Sequence, residues 1–481
     1  MKIIFIDIDT LRPDHLGCYG YHRSTSPNID RLASHALRFD NVFVPDAPCL
    51  PSRSALHHGR FGIHNGAINH GGTYADPYRE GASRGFNNSD PYKKWVQVLR
   101  DNGYFTTTVS SFAGRHDSWW FLAGFNEVYD CGKGGMERQD EVIEHGITAI
   151  ERNKDKENWF FHFNIWDPHT PYRVPDEYGN PFENDPPPSW MNQEIIDSHQ
   201  TRFGTHSATL TLHSPANKPT AREVSQIKNM TDYKKWVDGY DCGIRYADDA
   251  VGRIMEKLEE LNLYKDCAVI LSSDHGENQG ELNVYGDHQT ADIITCRVPM
   301  LLKWPGMKSG VRKALHYQFD ISATLLDLLD ISIPAKWDAL SIKDQLEKMK
   351  DSGRDFLVVS QAAWSCQRAV IWDDYILIKT YDDGLKEYPE LMLFNWKEDP
   401  HETTDLSASH PELVDAGLAR LNRWFDEMTA AADYKEDPMQ KVIEEGGPFH
   451  PAGRLQEYLD YYAGIGRDDI VKKMKDRYTE G

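Results

Sequence analysis

Residues 3–8, Ile3-Ile4-Phe5-Ile6-Asp7-Ile8, form an almost unbroken apolar run closely followed by Asp9, and this run constrains the fold more than any other stretch. A segment that is apolar at nearly every position, rather than at every second one, is expected to be a strand buried on both faces. Similar runs recur at 158–165, 267–272 and 298–304. Between them lie patterns of helical period, the clearest placing Ile244, Val251, Ile254, Leu258 and Leu261 on one face. Strands alternating with helices predict an α/β fold with a large, mainly parallel sheet sandwiched by helices.

Near residue 355 the texture changes. Short strand patterns follow closely at 355–360, 368–373, 375–380 and 390–394. A helix is expected after Ser409, with Glu412 completing a capping box and Leu413, Leu421, Trp424 and Met428 as its apolar face. The chain therefore reads as an α/β catalytic unit over 1–354, a smaller antiparallel sheet with a helix over 355–434, and a helical tail over 435–481. Within the first unit, 175–235 is rich in Pro, Ser, Thr, Asn and His and reads as a surface insertion. His199, His206 and His213 within it have no acidic or Cys companions and read as solvated loop histidines rather than as a metal set.

Composition removes several function classes. The 481 residues carry 53 Lys+Arg against 75 Asp+Glu, a net charge of −22, which argues against a nucleic-acid partner. No stretch reaches the roughly 18 consecutive apolar residues of a membrane helix. The N-terminus enters a strand pattern without a cleavage site, so a cytoplasmic location is expected, or a periplasmic or secreted one if a signal peptide has been removed. Seven scattered cysteines without a CxxC pair indicate neither a disulfide framework nor a thiolate zinc site.

The remaining chemistry gathers at predicted strand ends. Asp9, Asp274 and His275 follow strand patterns, where an open α/β sheet places its ligand. Hard carboxylate oxygens suit Ca²⁺ or Mg²⁺. Asp7 lies two residues before Asp9 on the same strand face. It is either a further carboxylate for a cation or the partner of backbone or an Arg, since an unpaired acid in a central strand is costly to bury.

The run Cys49-Leu50-Pro51-Ser52-Arg53 resembles the signature of the type I sulfatases, of the alkaline phosphatase superfamily, in which the cysteine is oxidised to Cα-formylglycine. Further segments resemble the family in its order: Asp9 to Gly20, Thr25 to Ala33, Trp166-Asp167-Pro168-His169-Thr170-Pro171-Tyr172, Ser272-Ser273-Asp274-His275-Gly276-Glu277, and Phe394 to Leu406. The resemblance implies an alkaline phosphatase-like fold and a formylglycine-generating maturation enzyme as a partner. It also implies metal ligation by Asp9, Asp274, His275 and the modified Cys49, with Arg53 holding the nucleophile and its surroundings. A hydrate oxygen at position 49 would attack sulfur, expel the alcohol and leave a sulfated intermediate, which loss of the second hydroxyl's proton resolves. A serine has no second hydroxyl, hence the modification.

His169 is the expected proton-transfer group. Thr10 stands where the family continues an Asp-Asp pair. A sulfate-holding Lys is also absent after Gly103-Tyr104, where the chain reads Val109-Ser110-Ser111-Phe112-Ala113-Gly114-Arg115-His116. Arg115 and His116, with Ser111, are the replacements expected there. After Tyr285-Gly286 a leaving-group Lys is replaced by Asp287-His288, and His288 becomes the expected general acid. Trp119, Trp120, Phe121 and Trp166 beside these cations suit a sulfated sugar, so a glycosaminoglycan or other sulfated saccharide is the expected substrate. The alternatives are a phosphonate monoester hydrolase or phosphodiesterase of the same superfamily, and a non-catalytic sulfated-glycan-binding protein.

Overall fold

The computed structural model describes residues 1–80, 89–204 and 220–479. The first strand, β1 (Lys2–Ile8), is followed by β2 (Leu37–Phe43) and the two-residue β3 (Asp46–Ala47). Next come β4 (Phe105–Val109), β5 (Glu127–Tyr129), β6 (Trp159–Ile165) and β7 (Cys267–Ser272). A small hairpin, β8 (Asn278–Gln279) with β9 (Tyr285–Asp287), precedes β10 (Arg297–Lys303) and β11 (Gly310–Tyr317). The last four are β12 (Phe356–Gln361), β13 (Cys366–Trp372), β14 (Tyr375–Asp382) and β15 (Leu391–Asn395).

Eight strands make one sheet in the order β11-β2-β10-β7-β1-β6-β4-β5. Its pairings are parallel except those of β10, which runs antiparallel to both β2 and β7. The apolar runs at 3–8, 158–165, 267–272 and 298–304 are its four central strands, buried on both faces as expected. Alternate residues feed two cores: Ile3, Phe5, Phe160 and Ile270 on one face, Ile4, Ile6, Phe161 and Leu271 on the other. On the second face lie the helices Gln139–Asn153 and Met230–Glu260, the latter burying Ile244, Val251, Ile254 and Leu258. Each such buried aliphatic side chain contributes roughly 1.5–3 kcal/mol.

The register fixes where the chemistry sits. Asp7 of β1 lies opposite Asn164 of β6 on one side and Ser272 of β7 on the other. The three chains leave the sheet together, carrying Asp9, the 166–169 segment and Asp274-His275 out at one edge.

The second sheet has the order β15-β14-β13-β12-β3. Its last four strands match the short runs after residue 355. Its fifth member, β3, comes from just before Cys49 and pairs parallel with β12, Ser360 opposite Asp46 and Gln361 opposite Ala47. The helix Pro411–Ala431 packs on this sheet through Val414, Gly417, Leu421 and Trp424. The expected capping box is not formed: His410 is the N-cap, Ser409 Oγ meets Leu406 O and His410 Nδ1, and Pro411 sets the start.

The polar stretch 175–235 is not wholly a surface insertion. Phe182, Met191, Ile196 and Ile227 are buried within it, and its last residues are the first turns of Met230–Glu260. These apolar residues are too widely spaced to show a period. His199 is buried rather than solvated, its Nδ1 2.7 Å from the Tyr285 hydroxyl. His206 and His213 lie outside the described residues.

The tail carries the helices Pro438–Glu444, Leu455–Gly464 and Asp468–Thr479. It is pinned by Arg368 of β13, whose guanidinium donates to both carboxylate oxygens of Asp437 at 2.6 and 2.9 Å. Asp437 also caps the first tail helix by accepting from Met439 N. Removing one partner of a buried ion pair strands the other charge. Asp437→Ala is therefore expected to cost about 3 kcal/mol. The check is urea denaturation together with faster amide exchange over 438–464.

Candidate active site

Cys49 is the first residue of the buried helix Cys49–His58, directly after Pro48. Its Sγ lies 3.0 Å from His275 Nε2. Arg53, one turn further along the same helix face, reaches three carboxylates. Its Nε donates to Asp7 Oδ2 at 2.8 Å, its Nη1 to Asp274 Oδ2 at 2.6 Å and its Nη2 to Asp9 Oδ2 at 3.0 Å. All four side chains are buried.

Charge does not balance in this cluster. One guanidinium faces three carboxylates, leaving two negative charges in a low-dielectric interior. Burial alone pushes all three carboxyls up, yet the Arg53 charge holds Asp7 and Asp9 below their ordinary value. Burial, with repulsion from Asp9 and Asp7, drives Asp274 well above its ordinary value. Asp9 Oδ1 and Asp7 Oδ1 are buried without a hydrogen-bond partner among the described residues. Asp9, Cys49, Asp274 and His275 bring one donor atom each to within 4.8 Å of one another. Unspent carboxylate oxygens, carboxyl groups in excess of the one guanidinium and a converging donor set fit a divalent cation. Asp7 stands outside this set; besides Arg53, its Oδ2 lies 3.5 Å from His162 Nε2. The geometry thus assigns Asp7 to the Arg53 ion pair rather than to the donor group.

A cleft of about 770 Å³ opens above Cys49, lined by His116, His169, His288 and Arg115 among others. Cys49, His169 and His288 form a second group with donor atoms within 4.8 Å of each other. Burial pushes His169 down to about 3, helped by Arg115 and Arg173 and opposed by Asp9. Burial and the neighbouring His275 also push His288 well down. Its Nε2 lies 3.5 Å from Asp287 Oδ1 and its Nδ1 is without a partner. Arg115 lies over the Trp166 ring at 4.8 Å and donates to Gly134 O at 3.1 Å.

Ser111 does not line the cleft. Its buried hydroxyl accepts from Gly135 N and Trp166 Nε1 and donates to Glu137, so its hydrogen-bonding capacity is spent on structure. Conversely, His70, Trp364, His450 and Arg454 line the cleft without having been expected there. His70 Nδ1 lies 3.0 Å from His450 Nε2, and His450 stacks on Trp364 with ring centres 4.2 Å apart. They come from three distant stretches of the chain, around 70, 364 and 450–454, and no motif marks them.

A protein-family model described as Sulfatase matches residues 2–331. The chain belongs to the sulfatase family. Among its relatives is the iduronate 2-sulfatase of Mus musculus, 26% identical over 64% of this chain. The match spans 60% of that relative's length. An arylsulfatase of Clostridium perfringens is 22% identical, covering 86% of this chain and 92% of the relative. Solved structures share the alkaline phosphatase-like fold. One, in complex with its substrate D-glucosamine-2-N,6-O-disulfate, has a TM-score of 0.69 at 18% identity, over 92% of this chain and 99% of its own. A phosphonate monoester hydrolase from Silicibacter pomeroyi has a TM-score of 0.67 at 18% identity, over 90% and 96%. Among the described residues no helix is long and apolar enough to cross a membrane.

Within this sulfatase-family site, Arg53 carries a testable load. Asp7 and Asp9 are held below 3.8, so their pairing contributes stability above about pH 4 that is lost as pH falls further. Arg53→Ala removes that contribution and is expected to destabilise the metal-free protein by about 3–5 kcal/mol at pH 7. The gap between parent and variant should narrow as pH falls below about 4. Urea midpoints measured across pH 3–7 check this; a gap independent of pH would contradict it.

Proposed function

We propose that this chain hydrolyses sulfate esters of a saccharide, with a glycosaminoglycan the leading substrate class. One observation carries the reading: Cys49 lies at a helix start where two donor groups meet, Asp9-Asp274-His275 on one side and His169-His288 on the other. Relatives named iduronate 2-sulfatase and N-acetylglucosamine-6-O-sulfatase support the saccharide class.

In this reading, oxidation of Cys49 by a formylglycine-generating enzyme supplies an aldehyde whose hydrate offers an attacking oxygen and a second hydroxyl. Asp9, Asp274 and His275 would hold a divalent cation, Ca²⁺ or Mg²⁺, which when bound supplies positive charge against the anionic substrate. The chain's own groups do the rest. Arg53 keeps Asp7 and Asp9 ionised and holds Asp274 beside Asp9. The start of the Cys49–His58 helix adds partial positive charge where an anion would sit. Arg115 and His116, in the place of the family's missing Lys, would hold sulfate oxygens. His169 is neutral among its protein neighbours and would accept a proton from the nucleophile once a bound anion raises its proton affinity. His288 would give a proton to the leaving alcohol, because a bound sulfate beside it raises its proton affinity.

The test is turnover by the matured protein on matched esters. Sulfated mono- and disaccharides are expected to be hydrolysed faster than phosphodiesters or phosphonate monoesters. His169→Ala is expected to lower kcat by about 10²–10⁴-fold. Phosphodiester turnover equal to or above that of every sulfate ester would replace this reading with the phosphonate-hydrolase one.

A further inference from the structure

A second concavity shares none of its lining with the catalytic cleft. It is a groove of about 1230 Å³ where β2 and β11 of the large sheet face the turn after β15 and the helix Pro411–Ala431. We propose that this groove binds a second stretch of the same sulfated polysaccharide, as a docking site separate from catalysis; the identity of the polymer rests on the function proposed above.

Acids outnumber bases by 22 in this chain, so a surface cation is expected to find a carboxylate. In this groove several do not. Arg297 spends its Nε and Nη2 on the Asp40 backbone carbonyl at 2.9 and 2.6 Å. Arg420 donates to Ala416 O at 3.0 Å. Arg423 reaches Glu427 only at 4.0 Å. Lys313 and Lys397 line the same groove and, among the described residues, neither closes an ion pair, although Asp374 and Asp40 lie near Lys397. These five cations come from four separate chain segments, so no local sequence pattern explains their convergence.

A buried aromatic ring lies beneath two of these cations. Lys397 Nζ lies 3.7 Å from the centre of the Trp396 ring, and the Arg297 guanidinium lies 5.8 Å from it. Burial lowers the proton affinity of both cations, so an anion settling beside them recovers electrostatic energy that water does not supply there. Trp396 itself is buried, so it backs these cations from below and recognition in the groove falls to charge.

The acids of the groove are partly spent. Asp40 accepts from Arg38 at 2.9 Å, and Asp351 accepts from the backbone N–H groups of Lys313 and Ala314. Asp355 and Asp373 remain at the rim. The volume accommodates a few sugar units, not a single small anion. Spaced cations along such a length match the spaced sulfates of a polymer better than one phosphate.

The test uses the full matured chain, a heparin-derived octasaccharide as probe and isothermal titration. In the variant Lys397→Gln/Arg420→Gln/Arg423→Gln, octasaccharide affinity is expected to fall at least about tenfold, with a flatter salt dependence. Turnover of a small aryl sulfate should stay within about twofold, because none of these residues lies in the catalytic cleft. A control with the same loss of charge, Lys154→Gln/Lys265→Gln/Lys308→Gln, should keep the parent affinity. Octasaccharide binding unchanged in the groove variant, or lowered equally in the control, would overturn the proposal. Groove-dependent binding by a protein that hydrolyses no sulfate ester would instead uphold the groove and sink the catalytic reading. The two ideas therefore fail separately.

Discussion

Three buried carboxylates converge on one guanidinium, and the rest of the site depends on that arrangement. Left alone, Asp7, Asp9 and Asp274 would repel one another and take up protons. Arg53 keeps Asp7 and Asp9 ionised through bonds of 2.8 and 3.0 Å and draws Asp274 in at 2.6 Å. Because it cancels only one charge, the cluster stays poised for a divalent ion. Because Arg53 shares a helix with Cys49, the same bonds set where Cys49 sits.

Two sheets meet at that helix. The large sheet brings β1, β6 and β7 side by side, so that Asp9, His169 and Asp274-His275 leave it at one edge. The small sheet takes in Asp46 and Ala47 through β12, anchoring the chain two residues before Cys49. Asp46 accepts from Gly62 N at 2.7 Å and is pushed up to about 7 by burial, so this junction is a closed, desolvated seam. The tail, fastened through Arg368 and Asp437, adds His450 and Arg454 to the cleft wall. Catalytic geometry therefore draws on segments spread over most of the chain. We place the boundaries of the structural units near 354 and 434 as a proposal, since β3 ties the units together across the first.

Much of this was legible in the sequence, for identifiable reasons. Central strands announce themselves as unbroken apolar runs, and four of the large sheet's eight were visible that way. The others, such as β4 with its Thr106-Thr107-Thr108, are too polar or too short to stand out. The candidate residues inside contiguous motifs, Cys49, Arg53, Asp9, Asp274, His275, His169 and His288, converge in space. Ser111 turns its hydroxyl to Glu137, Gly135 and Trp166, and a serine near Arg115 carries no sign in the sequence of which way it points. Asp7 had two readings, and only the position of Arg53 separates them. His70 and His450 were invisible, because a contact across 380 residues leaves no trace in local spacing.

The central claim is that Cys49 is the precursor of the nucleophile and does not act as a thiol. It is most directly tested by peptide mass spectrometry of the 49–53 region after expression with and without a formylglycine-generating enzyme, read beside sulfate release from a sulfated disaccharide. The account predicts an aldehyde at position 49 and activity proportional to the converted fraction. Full activity in protein whose Cys49 remains entirely a thiol would contradict it.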